Sequence, residues 1–350
     1  MNAPASAPAW STNTTPAELA AWLLGAPRVL AITHAKPDGD AIGSTMSVVR
    51  ALRLRGVDAH ALYAGILPHW TERAAGASGP ESWLTIEKRG LPELGANERV
   101  VVLDTGSRSQ LEPYLPLLER DAMPARTAIV DHHQSGAPEL GERRIIEPRI
   151  AAACALACDL CVRILGLGSA RELPTEIAEP LYLGLATDTG WFRHANVTPD
   201  VMRLAADLMS TGIRHAELFQ DIEQTDSEGR MRLLARALAT LVFLRDGQIA
   251  IMSLRMDDFR ESKAHAGETG GFLDLVKSVE SVRVAALLTE VEENHAKVVK
   301  ISLRSKSGNK FVDVNEIAKR FGGGGHTQAA GARVQGSLED VRAKLIGALT

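Results

Sequence analysis

The sequence predicts an α/β protein with two lobes, and three observations support this fold class. Short apolar runs at 29–32, 99–103 and 127–130 have the length of buried strands, and amphipathic helical stretches alternate with them. Strands that alternate with helices form a mostly parallel sheet. A chain of 350 residues, 45% hydrophobic and 23% charged, has room for about two domains. We therefore expect an N-terminal, mostly parallel sheet flanked by helices, and a smaller C-terminal α/β domain joined to it by a helical linker.

Composition and helical spacing divide the chain into four segments. Residues 1–16 are rich in Ala, Pro, Ser and Thr and predict a flexible tail, without the basic start and apolar core of a signal peptide. The first domain is expected over 17–222, a linker helix over 223–240 and the second domain over 241–350. No apolar run approaches the ~18 residues of a membrane-spanning helix. The sequence therefore predicts a cytoplasmic protein without a membrane partner.

The loop after the first apolar run carries three candidate metal ligands. Val29–Ile32 predicts a strand and Ile42–Leu54 predicts a helix, with His34, Asp38 and Asp40 between them. Carboxylate oxygens together with imidazole nitrogen suit manganese-like divalent ions. Taken alone, the loop is also compatible with a polar surface turn in which an aspartate caps the following helix.

Two further apolar runs end on acidic or imidazole side chains. One predicted strand ends on Asp104, and the next ends on Asp131, His132 and His133. In an open α/β sheet, ligands bind beyond the carboxyl ends of the strands. Adjacent histidines directly after a strand are unusual as packing residues, so we favour ligands over a solvated surface pair.

The segments around these motifs are predicted from their apolar pattern. A second short strand is expected over 56–62, and 64–98 is expected to be irregular because glycine and proline interrupt it. A helix over 175–187 ends beside Asp188, which is followed by a Thr-Gly turn.

The three cysteines, Cys154, Cys158 and Cys161, allow two interpretations. Their C-x3-C-x2-C spacing is that of radical SAM enzymes, which bind an iron–sulfur cluster. The same positions, with Leu165, also recur at the spacing of a buried helical stripe among apolar neighbours. We favour the stripe, because free cysteine packs as a small hydrophobic residue. Without a disulfide framework, the cysteines agree with a reducing compartment.

Three predicted strand ends and one helix end thus carry polar groups that should converge at one edge of the sheet. These candidate ligands are His34, Asp38, Asp40, Asp104, His132 and Asp188. The set is large enough for two metal ions that share one carboxylate. Two cations a few ångströms apart commonly support in-line phosphoryl displacement. The sequence therefore predicts a two-metal phosphoesterase site.

The second half of the chain predicts a helical connector followed by a mixed domain. Apolar spacing predicts helices over 199–209 and from about residue 216, and a linker helix extending through 231–244. Further strands are expected at 248–254, 282–290 and 296–304, and further helices near 272–277, 314–320 and 338–349.

Basic residues are concentrated near a glycine run, although the whole chain carries a net charge of −4. That net charge argues against a protein that coats long duplex nucleic acid. Between Lys297 and Arg320, seven Lys and Arg face two acidic residues. Consecutive glycines at 322–325 let backbone N–H groups approach an anion, although flexible linkers have the same composition. We favour phosphate binding, because a strand carrying Arg304 precedes the run.

These motifs together resemble a known family, the DHH phosphoesterases. The motifs in the first half are His34-x3-Asp38-x-Asp40, Asp104, Asp131-His132-His133 and Thr187-Asp188-Thr189-Gly190. The segments 301–305, 313–318 and 321–331 resemble the DHH-associated C-terminal domain. The resemblance covers nearly everything from Val29 to Val334.

The resemblance implies a role for each candidate residue. His34 and Asp38 would hold one metal ion, Asp40, His132 and Asp188 would hold the other, and Asp104 would bridge them. His133 would stabilise charge on the phosphoryl group, and Asp131 would orient its neighbours. The nucleotide would be held by Arg304, Gly323, Gly324, Gly325 and His326. The implied cofactors are two divalent ions, Mn²⁺ first, with Mg²⁺ or Co²⁺ as alternatives.

The resemblance also implies a substrate class. Two-domain members of this size include the nanoRNase/pAp phosphatases, which degrade short RNA and remove phosphate from 3′-phosphoadenosine 5′-phosphate (pAp). We therefore expect hydrolysis of short single-stranded oligonucleotides or small nucleotides, and no long duplex partner. A cyclic-dinucleotide phosphodiesterase acting on c-di-AMP or pApA and a RecJ-type single-strand exonuclease are alternatives with the same core. More distant alternatives are pyrophosphate hydrolysis and a non-catalytic nucleotide sensor, and a homodimer stays open.

Overall fold

The computed structural model describes residues 9–68, 70–72, 83–293 and 296–349. The chain forms two compact units, Met1–Gln224 and Thr225–Thr350. Each unit contains, among its described residues, one six-stranded sheet. The sheet of the first unit is parallel and that of the second is mixed, with helices packed on both, which confirms the predicted α/β class.

The first unit alternates strands with helices along the chain. Its strands are β1 (Arg28–Ile32), β2 (Asp58–Tyr63), β3 (Trp83–Thr85), β4 (Arg99–Leu103), β5 (Thr127–Asp131) and β6 (Arg143–Ile146). Its helices are α1 (Pro16–Leu24), α2 (Gly39–Leu54), α3 (Ile86–Arg89), α4 (Leu115–Leu118), α5 (Ala153–Leu165), α6 (Thr175–Asp188), α7 (Pro199–Met209) and α8 (His215–Glu223).

The strand order of the first sheet creates a switch point at its centre. The order is β3-β2-β1-β4-β5-β6, and every neighbouring pair is parallel. The chain therefore moves outward from β1 in one direction and returns to β4 on the other side. Ile32 pairs with Val102 where these two strands end. The loops after β1 and β4 consequently leave the sheet side by side, where open α/β sheets bind ligands.

Both faces of this sheet are buried. Alternate β1 residues point to opposite faces, so that Ala31 packs with Met46 of α2 while Ile32 packs with Tyr114 and Leu117 on the other side. All five side chains are fully buried. Continuous apolar strands of this kind are typical of parallel sheets covered on both faces.

Helices α2 and α6 pack closely because small residues and a proline allow it. Pro180 lies inside α6 and has no N–H to donate to the carbonyl of Glu176, four residues earlier. The guanidinium of Arg50 on α2 donates a hydrogen bond to this Glu176 carbonyl. A Cβ at Gly43 of α2 would overlap the Pro180 carbonyl, so the two backbones meet directly there.

The cysteine stripe is confirmed. Cys154, Cys158 and Cys161 lie on α5 and are at most 3% exposed. Burial raises the pKa of each thiol, so the groups stay protonated and pack as apolar side chains.

Three parts of the first unit differ from the sequence-based expectation. Within 64–98, predicted to be irregular, β3 pairs with β2 and α3 follows it, whereas residues 69 and 73–82 lie outside the described chain. Strand β6 was not predicted, because Arg143 and Arg144 begin this four-residue strand and leave a short apolar signal.

The predicted flexible tail is the third difference, as far as it is described. Residues 1–8 of the tail lie outside the described residues. After them, Asn13 exchanges hydrogen bonds with the main chain of Arg144 at 2.9 and 2.7 Å. The Thr12 hydroxyl accepts from the N–H of Ile146 and donates to its carbonyl, both at 2.8 Å. This segment therefore covers the outer edge of β6.

The second unit is a mixed sheet with helices on both faces. Its strands are β7 (Val242–Leu244), β8 (Ile249–Leu254), β9 (Val284–Glu293), β10 (Ala296–Ser305), β11 (Gly324–His326) and β12 (Ala329–Gln335), in the order β11-β12-β10-β9-β8-β7. Its helices are α9 (Glu228–Ala239), α10 (Met256–Ser262), α11 (Phe272–Lys277), α12 (Val314–Lys319) and α13 (Leu338–Leu349). Leu233 of α9 packs with Met252 and Phe272, so the helix predicted as a linker contributes to the core of this unit.

The linker helix ends earlier than its apolar pattern suggests, and the glycine run is more regular than expected. After Ala239, the Thr240 hydroxyl donates to the Ser253 carbonyl and accepts from its N–H, which starts β7 instead of another helical turn. Gly324–His326 forms the edge strand β11 and pairs with β12.

In the described part of the chain, no helix combines the length and the apolar content needed to cross a bilayer.

Candidate active site

Four chain segments deliver polar side chains to the switch point of the first sheet. The β1–α2 loop carries His34, Asp38 and Asp40, the turn after β4 carries Asp104, β5 ends on Asp131 before His132 and His133, and α6 ends on Asp188. The Asp38 carboxylate is the N-cap of α2, because its Oδ1 accepts from the N–H groups of Asp40 and Ala41, each at 3.1 Å. Asp38 can therefore cap α2 and still be a candidate metal ligand.

Asp104 lies at the centre of the cluster. Its two carboxylate oxygens face different partners: Oδ2 lies 3.5 Å from Nε2 of His34, and Oδ1 lies 3.3 Å from Nε2 of His132. The side chain is almost fully buried. Its backbone has a φ of 61°, a left-handed conformation that aspartate tolerates better than most residues. Such a conformation at a site residue is typical of a turn shaped for function.

Both central histidines present the same ring nitrogen to the carboxylates. Nδ1 of His34 lies 3.1 Å from the Ala35 carbonyl, and Nδ1 of His132 lies 3.1 Å from the Ile150 carbonyl. Since a carbonyl accepts only, Nδ1 is the donor in both pairs. Nε2 of each ring therefore faces the acidic groups, the arrangement typical of metal-ligating histidines.

The carboxylate of Asp40 is held by the start of helix α5. Its Oδ2 accepts from the N–H of Ala153 at 2.5 Å, and its Oδ1 accepts from the N–H of Cys154 at 2.8 Å. Ala152, the residue before this helix, has no side chain that could cap it. Asp40 therefore caps α5 from α2, and the positive end of the α5 dipole stabilises the buried charge.

Asp188 is placed by the close approach of α6 to α2. A Cβ at Gly39 would overlap the Thr187 hydroxyl, and a Cβ at Gly184 would lie 2.9 Å from the Cα of Asp40. Only glycine allows the backbones to meet this closely. The side-chain amide of Asn196 then donates to the main-chain carbonyl of Asp188 at 3.2 Å.

The described side chains form three overlapping groups with metal-ligating atoms. The groups are His34, Asp38 and Asp104; Asp40, His132 and Asp188; and Asp104, His132 and His133, each with ligand atoms within 4.8 Å of one another. Carboxylate oxygens and imidazole nitrogens match the donors preferred by Mn²⁺-like and Mg²⁺-like ions. The donor chemistry therefore fits divalent cations.

The crowding of carboxylates has an electrostatic consequence. Burial lowers the pKa of His34, but hydrogen bonds to Asp104 and Asp38 outweigh it and raise this pKa to about 10. Burial is likewise outweighed at His132, whose pKa rises to about 9, first through Asp104. Burial and the charge of Asp104 raise the pKa of Asp40. The two imidazoles therefore carry protons at neutral pH when no cation is bound, so cation binding should release protons and weaken at lower pH.

Asp131 organises the turn that carries the two histidines. It is fully buried, and its Oδ1 accepts from the N–H of His132 at 2.8 Å and from the N–H of His133 at 3.2 Å. The same oxygen lies 2.7 Å from Nδ1 of His133 and raises the pKa of that imidazole. With Nδ1 engaged, the half-exposed His133 ring can offer Nε2 to a ligand.

In the second unit, the strands around the glycine run form a basic surface. Arg304 of β10 pairs with Ala329 of β12, which pairs with His326 of β11, so that these side chains share one face of the sheet. A cavity of about 550 Å³ lies on this face. Its lining includes Lys300, Ser302, Arg304, Gly322, Gly323, Gly324, Gly331 and Arg333, and does not include Gly325 or His326. We call this lining the basic trough.

The glycines of the run have different structural roles. A Cβ at Gly323 would overlap the Gly331 carbonyl, and Gly325, with a φ of 150°, would place a Cβ 2.6 Å from the Ala329 carbonyl. A Cβ at Gly324 would instead have open space, with its nearest neighbour 3.6 Å away. Gly323 and Gly325 are thus required for strand packing. Gly324 is not, and without a side chain it leaves the main chain of the basic trough accessible.

Several contributors to the site were missed in the sequence. The N–H groups of Ala153 and Cys154 and the carbonyl of Ile150 are main-chain groups, so residue type gives no signal for them. Asn196 could have been suspected, since an asparagine follows the Asp188-Thr-Gly segment, and Thr187 lies in the motif itself.

Known protein families match most of the chain. The model of the DHH family, N-terminal domain, matches residues 28–185, and the model of the DHHA1 domain matches residues 246–350. The bifunctional oligoribonuclease and PAP phosphatase NrnA of Thermus thermophilus is 33% identical over 87% of this chain and 83% of its own length. The protein of the same name from Bacillus subtilis is 22% identical over 86% of this chain and 87% of its own length. An exopolyphosphatase-related protein from Bacteroides fragilis has a crystal structure with a TM-score of 0.79 and 25% identity, and 95% of each chain is covered.

Proposed function

Since this chain belongs to the DHH family of phosphoesterases, we propose that it is a metal-dependent hydrolase of short oligonucleotides, of 3′-phosphoadenosine 5′-phosphate, or of both. Membership of the family indicates the reaction class, that of a phosphoesterase. The choice of substrate is our proposal. It is supported by the relative from Thermus thermophilus, which is an oligoribonuclease and PAP phosphatase.

One observation carries the proposed chemistry: the two oxygens of Asp104 face two separate groups of donors. Oδ2 faces His34, and Oδ1 faces His132. A carboxylate in this position can serve both groups at once. His34 and Asp38 would hold one divalent cation, Asp40, His132 and Asp188 would hold the second, and Asp104 would contribute to both.

Two bound cations would supply charge neutralisation at the phosphoryl oxygens and a more acidic water as the nucleophile. Mn²⁺ is our first choice from the mixed oxygen and nitrogen donors, with Mg²⁺ or Co²⁺ as alternatives. The chain itself keeps the donors in place: Nδ1 of each ligating histidine is fixed by a carbonyl, and Asp40 is fixed by the start of α5.

His133 is proposed to act on the phosphoryl group. Its Nδ1 donates to Asp131 at 2.7 Å, which fixes the ring. The Asp131 carboxylate also raises the pKa of His133 and so favours the imidazolium, in which Nε2 is a donor as well. A donor aimed at an oxygen where negative charge develops lowers the barrier more than one aimed at the ground state. Asp131 would act through this imidazole, since it contacts the ring and the turn that carries it.

The basic trough is proposed to bind a second phosphate of the substrate. Lys300, Arg304 and Arg333 supply positive charge beside a glycine floor on which a phosphate can approach the main chain. A substrate with two phosphates would use this surface, and this supports short nucleotides over simple phosphodiesters. His326 and Gly325 belong to the adjacent edge strand and would support the same surface.

A substrate panel tests the proposed function. The purified protein, supplied with Mn²⁺, would be assayed on a ribodinucleotide, a longer RNA oligonucleotide, pAp, cyclic di-AMP and pyrophosphate. The proposal expects higher kcat/KM on the dinucleotide or pAp than on the other three.

Each other result favours a named alternative. Faster cleavage of cyclic di-AMP would indicate a cyclic-dinucleotide phosphodiesterase, and faster cleavage of long oligonucleotides would indicate a RecJ-type exonuclease. Preference for pyrophosphate would indicate a pyrophosphatase. Nucleotide binding without any turnover in Mn²⁺, Mg²⁺ or Co²⁺ would contradict an enzyme and favour a sensor.

Changes to the basic trough should affect substrate binding more than chemistry. Arg304→Ala removes a charge-assisted hydrogen bond worth about 1.5–3 kcal/mol, so KM for pAp should rise roughly ten- to a hundredfold. On a minimal artificial phosphodiester, which has no second phosphate, the cost should be smaller. Gly324→Ala should act in the same direction by a few-fold, since its methyl group would occupy the floor without disturbing the strands.

Two matched variants control for charge and for backbone. Lys319→Ala removes an exposed positive charge that pairs with Glu316 outside the trough, and Gly347→Ala adds a methyl group to open space on α13. Both should leave KM unchanged. If Arg304→Ala instead lowers kcat equally on pAp and on the artificial substrate, Arg304 belongs to the chemistry and the assignment of the trough is wrong.

A further inference from the structure

The segment before α1 brings an aromatic ring to the switch point. The side chains of Thr12 and Asn13 fix this segment along β6 through hydrogen bonds to the main chain of Arg144 and Ile146. Three residues before Asn13, the indole Nε1 of Trp10 donates a hydrogen bond to the main-chain carbonyl of His133 at 3.0 Å. This contact joins residues 123 positions apart in the sequence.

The Trp10 ring lies against two glycines that belong to the site turns. A Cβ at Gly106 or at Gly136 would overlap the ring, so the ring fills the space that these glycines leave open. Gly106 comes two residues after Asp104, and Gly136 comes three residues after His133. The ring therefore touches both the turn that carries the central carboxylate and the turn that carries the proposed phosphoryl-binding imidazole.

The two turns are also joined to each other beneath the ring. The N–H of Ala137 donates to the carbonyl of Gly106 at 2.7 Å. Trp10 itself packs against the buried cluster on this face of the sheet, which includes Leu111 and Leu140. The main chain of both turns is therefore restricted by the Trp10 ring, by the hydrogen bond between Ala137 and Gly106, and by the packing of Trp10 against the core.

We propose that Trp10 is a positioning residue of the active site, which holds the turns of Asp104 and His133 in register with each other. This inference rests on the proposed phosphoesterase function, because it assigns Trp10 a role in that reaction. A displacement of about 1 Å at a reacting group can cost on the order of a hundredfold in rate. Loss of the ring therefore acts on kcat through geometry, without removing any group that touches the substrate.

The variant Trp10→Ala should lower kcat by about tenfold to a hundredfold, with KM changed by no more than about twofold. Amide hydrogen exchange at Ala137 should become faster, because its partner turn is no longer held. Trp10→Phe should recover most of the lost kcat, since its ring still covers both glycines. Trp22→Ala is the control: this indole of α1 packs against the guanidinium groups of Arg99 and Arg143, so its loss should lower Tm and leave kcat and Ala137 exchange unchanged.

A pair of substitutions tests the contact directly. Gly136→Ala adds a methyl group that the Trp10 ring cannot accommodate, so it should reduce kcat on its own. In the Trp10→Ala background the three atoms nearest to this methyl group are removed, and the double variant should be as active as Trp10→Ala alone. This non-additivity is expected only if ring and glycine touch in the working enzyme.

Unchanged kcat and unchanged Ala137 exchange in both Trp10 variants, with a lower Tm alone, would overturn the proposal. Additive losses for Gly136→Ala and Trp10→Ala would overturn it as well. If Trp10→Ala fails to fold, Trp10→Leu takes its place, since it also removes the ring and the indole N–H and should show the same loss of kcat and the same faster Ala137 exchange. If the wild-type protein hydrolyses no substrate of the panel, the proposed function fails, whereas hydrogen exchange continues to report whether Trp10 holds the turns.

Discussion

Replacing Asp104 by asparagine should reduce kcat on every substrate by on the order of 10³, because cations at such a site contribute several kcal/mol of transition-state stabilisation. Asparagine keeps the shape of aspartate and tolerates its left-handed backbone with a φ of 61°, whereas alanine would add strain. The substitution removes the charge that would serve both groups of donors. We therefore expect calorimetry to show fewer than two Mn²⁺ ions bound per chain in the variant, against two in the wild-type protein.

The same variant should stay folded without metal. Burial and the charge of Asp104 raise the pKa of Asp40 and of Asp188, so removing that charge relieves repulsion between carboxylates. It also removes the pairing of Asp104 with His34 and His132, so the two effects oppose each other and the metal-free variant should still unfold cooperatively. Asp200→Asn is the control, since this exposed carboxylate pairs with Arg203 on α7. Two bound ions and a near-normal kcat in Asp104→Asn would show that Asp104 does not bridge.

The second large effect is expected at His133. His133→Ala should lower kcat by about 10²–10³ on all substrates, the usual cost of losing one donor to developing charge. KM and Mn²⁺ stoichiometry should change little, because the ring would contact the phosphoryl group in the transition state and would hold no cation. Steady-state kinetics on pAp and on an artificial phosphodiester, together with metal titration, would measure both.

A matched histidine exists elsewhere in the first unit. His60 on β2 forms a comparable pair with Asp58 at 2.9 Å, and His60→Ala should leave kcat unchanged. If His133→Ala loses a metal ion, His133 acts instead as a ligand in the group with Asp104 and His132. If His133→Ala keeps the kcat of the wild-type protein, His133 has no part in the mechanism.

The central strands were predictable because their sequence signal is strong and local. β1, β4 and β5 are continuous apolar runs that end abruptly on polar residues, and their burial on both faces explains this pattern. β6 and β12 lack such a signal. The first begins with two arginines, and the second, Ala329–Gln335, consists largely of small residues, so contacts with neighbouring strands decide their structure.

The candidate ligands were predictable from side-chain type, whereas their surroundings were not. Aspartate and histidine at strand ends are visible in any sequence. The carbonyl that fixes His132 and the N–H groups that hold Asp40 belong to apolar residues of α5 and the segment before it. Trp10 was assigned to a loose tail, because its partners Gly106, His133 and Gly136 are at least 96 residues away in the chain.

The glycine contacts between α2 and α6 have a consequence for how the site responds to change. Gly43 meets the Pro180 carbonyl, and Gly184 meets the Cα of Asp40, so the distance between the β1–α2 ligands and Asp188 is set in part by main chain against main chain. Backbone contacts of this kind are nearly incompressible, and a side-chain substitution elsewhere does not change them. Core substitutions elsewhere should therefore alter stability while the spacing of the donors stays constant. The distance between α2 and α6 cannot be changed gradually. A site that adapts to a different metal ion would therefore have to replace the donor residues themselves.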